Sequence, residues 1–430
     1  MRKKRDGGIE WIGEIPEHWK LERLQWHISE IKESNKPEKS RQVLSLTNKR
    51  GVIPYEEKGA QGNVAKEDYS QYKLAYPGTI VANSMNILIG SVGRCDYFGC
   101  VSPVYYVYKP NEGENIDFIN YMFQMEQFQK ELRRYANGIL EIRLRVSSDG
   151  ILKREMAFPP LDEQASIVSF LDQKCAQVDI LTANVQAQIE KLKSYKQSVI
   201  TEVVTKGLDP TVPMKDSGFD WIGSIPAHWE KLRVKYIGDT QNGISKGGEY
   251  FGSGYPFVSY GDVYKNMELP HAVVGLVEST DAERENYSVK KGDIFFTRTS
   301  ETIEEVGFSA VCTETIDDAT FAGFLIRLRP FNDAMTTQYA KYYFRGEHIR
   351  RYLVKEMNLV TRASLGQGLL KAMTVLIPPH EEQVVIAEYL DDKCSQIDRL
   401  IAIKQAKIEK LEQYKRSLIY EYVTGKREVV

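Results

Sequence analysis

The sequence predicts an α+β protein built as two alike halves related by a pseudo-two-fold. Each half is a β-rich α/β globule followed by one long helix, and the two helices pack as an antiparallel, coiled-coil-like spacer. Three observations carry this expectation. Residues 158–205 recur at 377–424 without a gap, matching at 26 of 48 positions. Trp11-Ile-Gly-Glu-Ile-Pro-Glu-His-Trp19 recurs as Trp221-Ile-Gly-Ser-Ile-Pro-Ala-His-Trp229, with seven of nine residues identical. Between these repeats lie two stretches, 20–157 and 230–376, that differ from each other yet carry matching turns.

The longer repeat is helical by pattern. After Pro159-Pro160 and Pro378-Pro379, which open a helix but cannot continue one, no Pro or Gly appears until Gly207 and Gly425. Leu171, Val178, Val185, Leu192 and Val199 fall seven apart, and Cys175, Leu181, Ile189, Tyr195 and Val203 widen the stripe. That spacing is a helix–helix seam. The second copy repeats it with Leu390, Ile397, Leu411 and Leu418, but sets Lys404 where Val185 stood. At about 1.5 Å per residue, some 30 residues of regular heptads make a rod of about 45 Å. Such a rod needs a partner, and each copy is the obvious partner of the other.

The shorter repeat opens each half and holds four of the five tryptophans. Paired tryptophans anchor packing, so this motif reads as a plug seating each half, and His18 and His228 share that structural role. In the first globule, Tyr76-Pro-Gly-Thr-Ile-Val-Ala-Asn-Ser reads as a turn, then a strand ending in small polar residues. In the second, Val289-Lys-Lys-Gly-Asp-Ile-Phe-Phe-Thr-Arg-Thr-Ser reads the same way. Further strands are expected at Val101–Tyr108, Tyr255–Tyr260 and Phe321–Leu328, and helices at Ile116–Asn137 and Thr336–Asn358. Both globules then pass through a basic segment, Arg143-Leu-Arg-Val-Ser or Thr361-Arg-Ala-Ser, into a strand that leads to Pro-Pro. Residues 207–218 form a loop by composition. The expected domains are 1–157, helical 158–207, a linker at 208–218, 219–376, and helical 377–430.

Composition narrows the class. A hydrophobic share of 42% with 27% charged residues is ordinary for a globular protein. Met1-Arg-Lys-Lys-Arg is followed by Asp6-Gly-Gly and not by an apolar core, so no signal peptide and no membrane span are expected, and the location expected is cytoplasmic. Cys95, Cys100, Cys175, Cys312 and Cys394 show no paired zinc spacing and read as buried thiols. Residues 1–157 hold 24 Lys+Arg against 21 Asp+Glu, and residues 219–376 hold 18 against 20. Neither globule is a strong electrostatic trap, so DNA binding requires cations gathered on one face or help from partners.

The W-I-G-x-I-P-x-H-W opening of each half is one mark of a known family. The others are the P-P-x-x-E-Q-x-x-I helix start, the L-D-x-K-x-x-x-D-x-L continuation and the E-K-L-x-x-Y-K-x-S-x-I-x-E-x-V-T ending. Together, duplicated in order over almost the whole chain, they resemble the specificity subunit of type I restriction-modification systems. The resemblance implies two target-recognition domains, each reading half of a split DNA sequence. It implies paired helices that hold the domains apart and dock methyltransferase (modification) subunits, two of them, with restriction subunits joining. Half-sites on one face of a duplex lie about 34–36 Å apart, which a rod of that length suits.

Base edges are read by Arg, Lys, Asn, Gln, Ser and Thr on elements that enter a groove. The polar strand ends Asn83, Ser84 and Asn86, and Thr297, Arg298, Thr299 and Ser300, occupy equivalent places and are the first candidates for DNA binding. Arg94, the 241–246 loop with Lys246, and Ser259 with Tyr260 follow. Arg143, Arg145 and Arg362 suit phosphates. No phosphate loop, His-Glu-x-x-His or Gly-x-Ser-x-Gly elbow is present, and neither Pro-Pro pair is preceded by the Asn or Asp of an amino-methyltransferase motif. No catalytic, cofactor or metal residue is therefore expected, and the chain reads as a non-catalytic subunit. The rival reading is a scaffold whose globules bind protein instead of DNA.

Overall fold

The structure, a computed structural model, describes residues 3–47, 50–59, 68–137, 144–300, 306–356 and 363–429. The chain divides into two compact units: residues 1–186 with 406–430, and residues 187–405. The division falls inside both long helices, so each unit holds the first part of one helix and the last part of the other.

In each unit the opening motif is a small hairpin. Lys4–Asp6 pairs antiparallel with Glu14–Pro16, and Met214–Asp216 pairs with Ser224–Pro226 in the same register. Residues 214–216, expected as loop, are therefore strand. The hairpin seats a tryptophan, Trp19 or Trp229, that is fully buried. Arg5 donates to the Trp19 carbonyl at 2.7 Å, and Lys215 does the same for Trp229. At the start of each long helix a glutamate takes the adjacent histidine, His18 to Glu163 at 2.9 Å and His228 to Glu382 at 2.8 Å. Packing fixes these residues, as the plug reading expects.

Each unit then builds a four-stranded antiparallel sheet of one topology. In the first unit the order is Ile28–Ile31, Tyr105–Pro110, Thr79–Asn83, Val92–Cys95. In the second it is Gly238–Asn242, Leu325–Pro330, Ile294–Thr297, Ser309–Val311. Several expected elements are subdivided. The strand expected at Val101–Tyr108 is two, Gly99–Val101 and Tyr105–Pro110. Phe321–Leu328 is likewise two, Thr320–Phe321 and Leu325–Pro330. The strand expected at Tyr255–Tyr260 runs Phe251–Val258, and Tyr260 begins a helix.

The two globular helices are also broken. Ile116–Gln124 starts where the Asn115 side chain accepts from the amides of Asp117 and Phe118, each at 3.1 Å. It stops at Met125, whose extended backbone also opens Glu126–Arg133. The second expected helix divides into Thr337–Tyr343 and Glu347–Glu356 across Gly346. Sequence periodicity passes through both breaks because each short helix buries the same kind of apolar face.

The long helices span Leu161–Lys206 and His380–Val423. Both end at a glycine with positive φ, Gly207 at 73° and Gly425 at 69°, which closes a helix without a Cβ penalty. Within each unit they run antiparallel. In the first, Asp179 meets Lys415 and Phe170 meets Tyr422; in the second, Lys196 meets Asp398 and Gln188 meets Lys404. Leu171, Val178, Val185, Ile189, Val199 and Val203 are buried, as are Leu390, Ile397 and Leu418. Leu181 and Tyr195 depart from the expected stripe, at 48% and 50% exposed. They lie off the seam, where an antiparallel pair leaves a helix flank uncovered. Each globule is anchored to its helix by a buried tyrosine: Tyr121 donates to Asp172 and Tyr342 to Asp391, both at 2.6 Å. Burial, then the bond to the carboxylate, pushes both hydroxyls far above the usual tyrosine range. All five cysteines are free and buried.

Candidate nucleic-acid interface

In the first unit the strand Thr79–Asn83 is buried throughout, because it lies inside the sheet. It ends in a tight turn: the Asn83 side chain accepts from the Met85 amide at 3.0 Å, and its carbonyl accepts from Asn86 at 3.1 Å. Asn83 is thus spent on shaping the turn. Ser84 is buried, and its carbonyl accepts the Val146 amide at 3.1 Å. Val146 belongs to the two-residue strand Arg145–Val146, which pairs with Ala136–Asn137. Asn86 and Arg145 are exposed. The strand end and the basic segment, far apart in sequence, therefore share one edge. Arg143 lies outside the described residues.

The second unit repeats the arrangement with other residues. Thr297 is buried, and its hydroxyl accepts from the Phe308 amide at 2.9 Å. The Arg298 amide donates to the Phe324 carbonyl at 2.9 Å, and its carbonyl accepts from Leu365 at 2.7 Å. Its Nε is buried without a hydrogen-bond partner. Thr299–Ser300 pairs with Ala363–Ser364, the segment that follows Arg362; Arg362 itself lies outside the described residues.

A turn at residues 322–324 gathers the remaining candidates of this unit. The Ala322 amide donates to Val258, next to Ser259, at 3.0 Å, and the Gly323 amide donates to Ile244 at 2.7 Å. Their side chains have local work, however. Ser259 caps the helix Tyr260–Lys265 in a capping box with Asp262, and Tyr260 stacks on Tyr264. Lys246 donates to Glu283 at 2.8 Å and to the Glu278 carbonyl at 2.9 Å.

Arg94 stands apart from Asn86 and Arg145. It pairs with Asp117, and with Asp96 at 3.0 Å, and lines a cavity of about 360 Å³ with Tyr121, Asp172, Asp179 and Lys415. Burial works against its charge, but the two carboxylates outweigh it and hold the guanidinium above its ordinary pKa.

Two residues at these edges escaped the sequence reading. Ile89, 66% exposed, follows Asn86, and Phe324, 64% exposed, holds the Arg298 amide through its carbonyl. Exposed apolar side chains beside polar residues have the chemistry that contacts thymine methyls or base steps. Only their exposure distinguishes them, and a sequence does not display exposure. Among the described residues no group of His, Cys, Asp and Glu forms a metal site, and no helix is long and apolar enough to cross a membrane.

A family model described as the type I restriction modification DNA specificity domain matches residues 226–413. The type I restriction enzyme MjaVIII specificity subunit of Methanocaldococcus jannaschii is 25% identical over 273 residues, covering 63% of this chain and 62% of that one. The EcoKI specificity subunit of Escherichia coli is 26% identical over 250 residues, covering 56% and 51%. The chain thus aligns with less than two thirds of the length of these two relatives. The putative MjaX specificity subunit of M. jannaschii is 24% identical and is covered over 95% of its length. Among solved structures, a chain from a study of the assembly and conformational transition of the type I R-M system shares the fold at a TM-score of 0.72. Its identity is 16%, with 96% of this chain and 99% of that one covered. The HsdS subunit from Thermoanaerobacter tengcongensis gives a TM-score of 0.50 at 16% identity, covering 98% and 99%. The duplicated helices, the paired plugs and these matches agree: residues 226–413 match a type I restriction modification DNA specificity domain, and the chain is similar to specificity subunits of type I restriction-modification systems.

Proposed function

We propose that this chain reads a bipartite, asymmetric DNA target, one half-site per unit, and supplies no catalysis itself. One observation carries the reading. In two globules of unlike sequence, the same sheet strand ends in polar residues against the backbone of a basic segment, joining Ser84 to Val146, next to Arg145, and Arg298 to Leu365 in the segment after Arg362. A shared frame with different side chains is what two readers of different half-sites need. Asn suits adenine and Arg suits guanine, while arginines at the edge suit phosphates. The domain bounds at 157, 207, 218 and 376 belong to the same proposal.

The long helices serve, in this reading, as the docking face for two modification subunits, with restriction subunits joining the assembly. Exposed Leu181 and Tyr414 in one unit, and Leu400 and Tyr195 in the other, supply apolar surface for a protein partner. Methyl transfer is left to that partner.

Sequencing methylated sites in cells that express the chain with its modification subunit tests the whole reading. Two different short half-sites separated by a fixed gap are expected. A single uninterrupted palindrome contradicts the bipartite reading, and methyl transfer by the purified chain alone contradicts its non-catalytic role.

A further inference from the structure

Arg154 sits over the ring of Tyr135, its guanidinium carbon 3.5 Å from the ring centroid. Its Nε is buried without a hydrogen-bond partner, and no carboxylate of the described residues stands within ion-pair distance. An arginine whose donors are unspent, beside a cavity, invites an anion.

The fold does not demand arginine here. The Arg154 carbonyl accepts the Leu24 amide at 3.0 Å, and the Met373 carbonyl accepts the Val234 amide at 2.9 Å. Both residues immediately precede equivalent strands, Glu155–Phe158 and Thr374–Ile377. In the second unit the methionine is 1% exposed and fills the space. The first unit instead has a cavity of about 450 Å³, lined by Trp11, Arg23, Phe128, Arg134, Lys153 and Arg154 among others.

Three glutamates also line that cavity, and each is answered. Arg134 takes Glu131 at 3.0 Å and Glu10 at 3.5 Å, and Arg23 takes Glu155 at 3.5 Å. Lys153 pairs with Asp149 at 2.9 Å. Among the described residues, Arg154 is left as the cation of this cavity without a carboxylate. Tyr135 leads directly into Ala136–Asn137, whose partner strand holds Ser84 through the Val146 amide. The cavity therefore adjoins the polar edge of the first unit.

We propose that Arg154, held on Tyr135, grips a backbone phosphate of the DNA flanking the half-site of the first unit, a contact that the second unit lacks at the equivalent place. This rests on the DNA-reading function proposed above. The ring contact restrains the guanidinium, and its remaining donors form the planar fork that matches two phosphate oxygens. Part of the ordering cost of binding is met before DNA arrives. A phosphate contact positions the duplex and carries no sequence information.

The test uses the full chain with its modification subunits, a cognate and a scrambled duplex, and a series of salt concentrations. Arg154→Met, the residue of the second unit, is expected to make the log–log salt slope shallower by about 0.9. Affinity should fall by the same factor on both duplexes, with an unchanged melting temperature. Arg154→Lys keeps the charge without the fork, and is expected to restore the slope while leaving affinity below that of the native chain. If Arg154→Met melts early, the comparison of Arg154→Lys with the native chain decides, and equal affinity overturns the contact. An unchanged slope for a folded Arg154→Met, or a loss confined to the cognate duplex, overturns it too. A native complex that prefers its cognate duplex while Arg154→Met matches it sinks the phosphate contact alone. A native complex that binds neither duplex sinks the DNA-reading function with it.

Discussion

Lys196 of the first long helix donates to both carboxylate oxygens of Asp398 on the second, at 2.8 and 2.6 Å. The repeat counterparts reverse the roles: Lys415 of the second helix donates to both oxygens of Asp179 on the first, each at 2.7 Å. A contact made twice with its partners exchanged is the mark of a self-complementary surface. Both pairs are partly exposed, so each is worth at most about 1 kcal/mol. Lys196→Asp should lower thermal stability slightly by placing two carboxylates together, and adding Asp398→Lys should recover it. A double-mutant cycle by thermal unfolding reads the coupling, which should be near zero if the pair is a passive surface contact.

The two plugs hold their buried tryptophans differently. Trp229 donates its ring N–H to Glu382 at 3.0 Å, whereas the ring nitrogen of Trp19 is buried without a partner. Removing Glu382 therefore strands a buried tryptophan donor, which costs about 1–3 kcal/mol, while Trp19 has no such bond to Glu163 to lose. Glu382→Ala should destabilise the protein by roughly 1 kcal/mol more than Glu163→Ala in chemical unfolding. Equal effects would show that the two glutamates serve only their histidines.

His348 is fully buried against Tyr343, and neither ring nitrogen has a partner. Burial, then the nearby Arg351, pushes its pKa down from 6.5 to about 3. The unfolded chain takes up a proton below its ordinary pKa and the folded chain does not, so stability falls as pH drops from about 6.5 towards 3. The loss is roughly 3 kcal/mol at pH 4. His348→Phe should flatten this part of the profile, measured by urea unfolding at pH 4 and 7. An unchanged slope would place the acid sensitivity elsewhere.

Arg298 is the strongest candidate for reading bases. Arg298→Ala should weaken binding to the cognate half-site by about 1–3 kcal/mol and relax preference at one base pair, with non-specific binding nearly intact. Competition binding with single-base variants measures this. Equal losses on cognate and scrambled duplexes would make Arg298 a phosphate contact or a structural residue.

The duplicated helices and plugs were legible in sequence because a repeat at a fixed offset needs no tertiary information. The strand ends were legible too, since a turn at Gly78 or Gly292 precedes each buried strand. What stayed hidden was decided by neighbours distant in sequence. Lys404 reads as a flaw in the seam, yet Gln188 accepts from it at 2.6 Å. Ser259 and Lys246 read as candidate contacts, yet Asp262 and Glu283 engage their side chains. Arg94 reads as a candidate DNA contact, yet Asp117 engages it. Arg154 carries no sequence signal, because the cavity beside it forms only when Trp11, Arg134 and Tyr135 meet.

The plug at the start of the chain is completed by its last stretch: the Tyr420 hydroxyl donates to the Trp11 carbonyl at 2.9 Å, and Lys426 donates to the carbonyl of Glu14. The second unit, by contrast, is one continuous stretch, Ala187–Gln405. Domains commonly mature in the order in which the ribosome delivers them, at roughly 5–20 residues per second. Here that order is inverted: Trp11 waits on the order of 20–80 s for Tyr420, 409 positions later, while the unit Ala187–Gln405 closes ahead of it. During that interval the nascent first unit lacks Leu418, Ile419, Tyr422 and Val423, the apolar residues that complete its core.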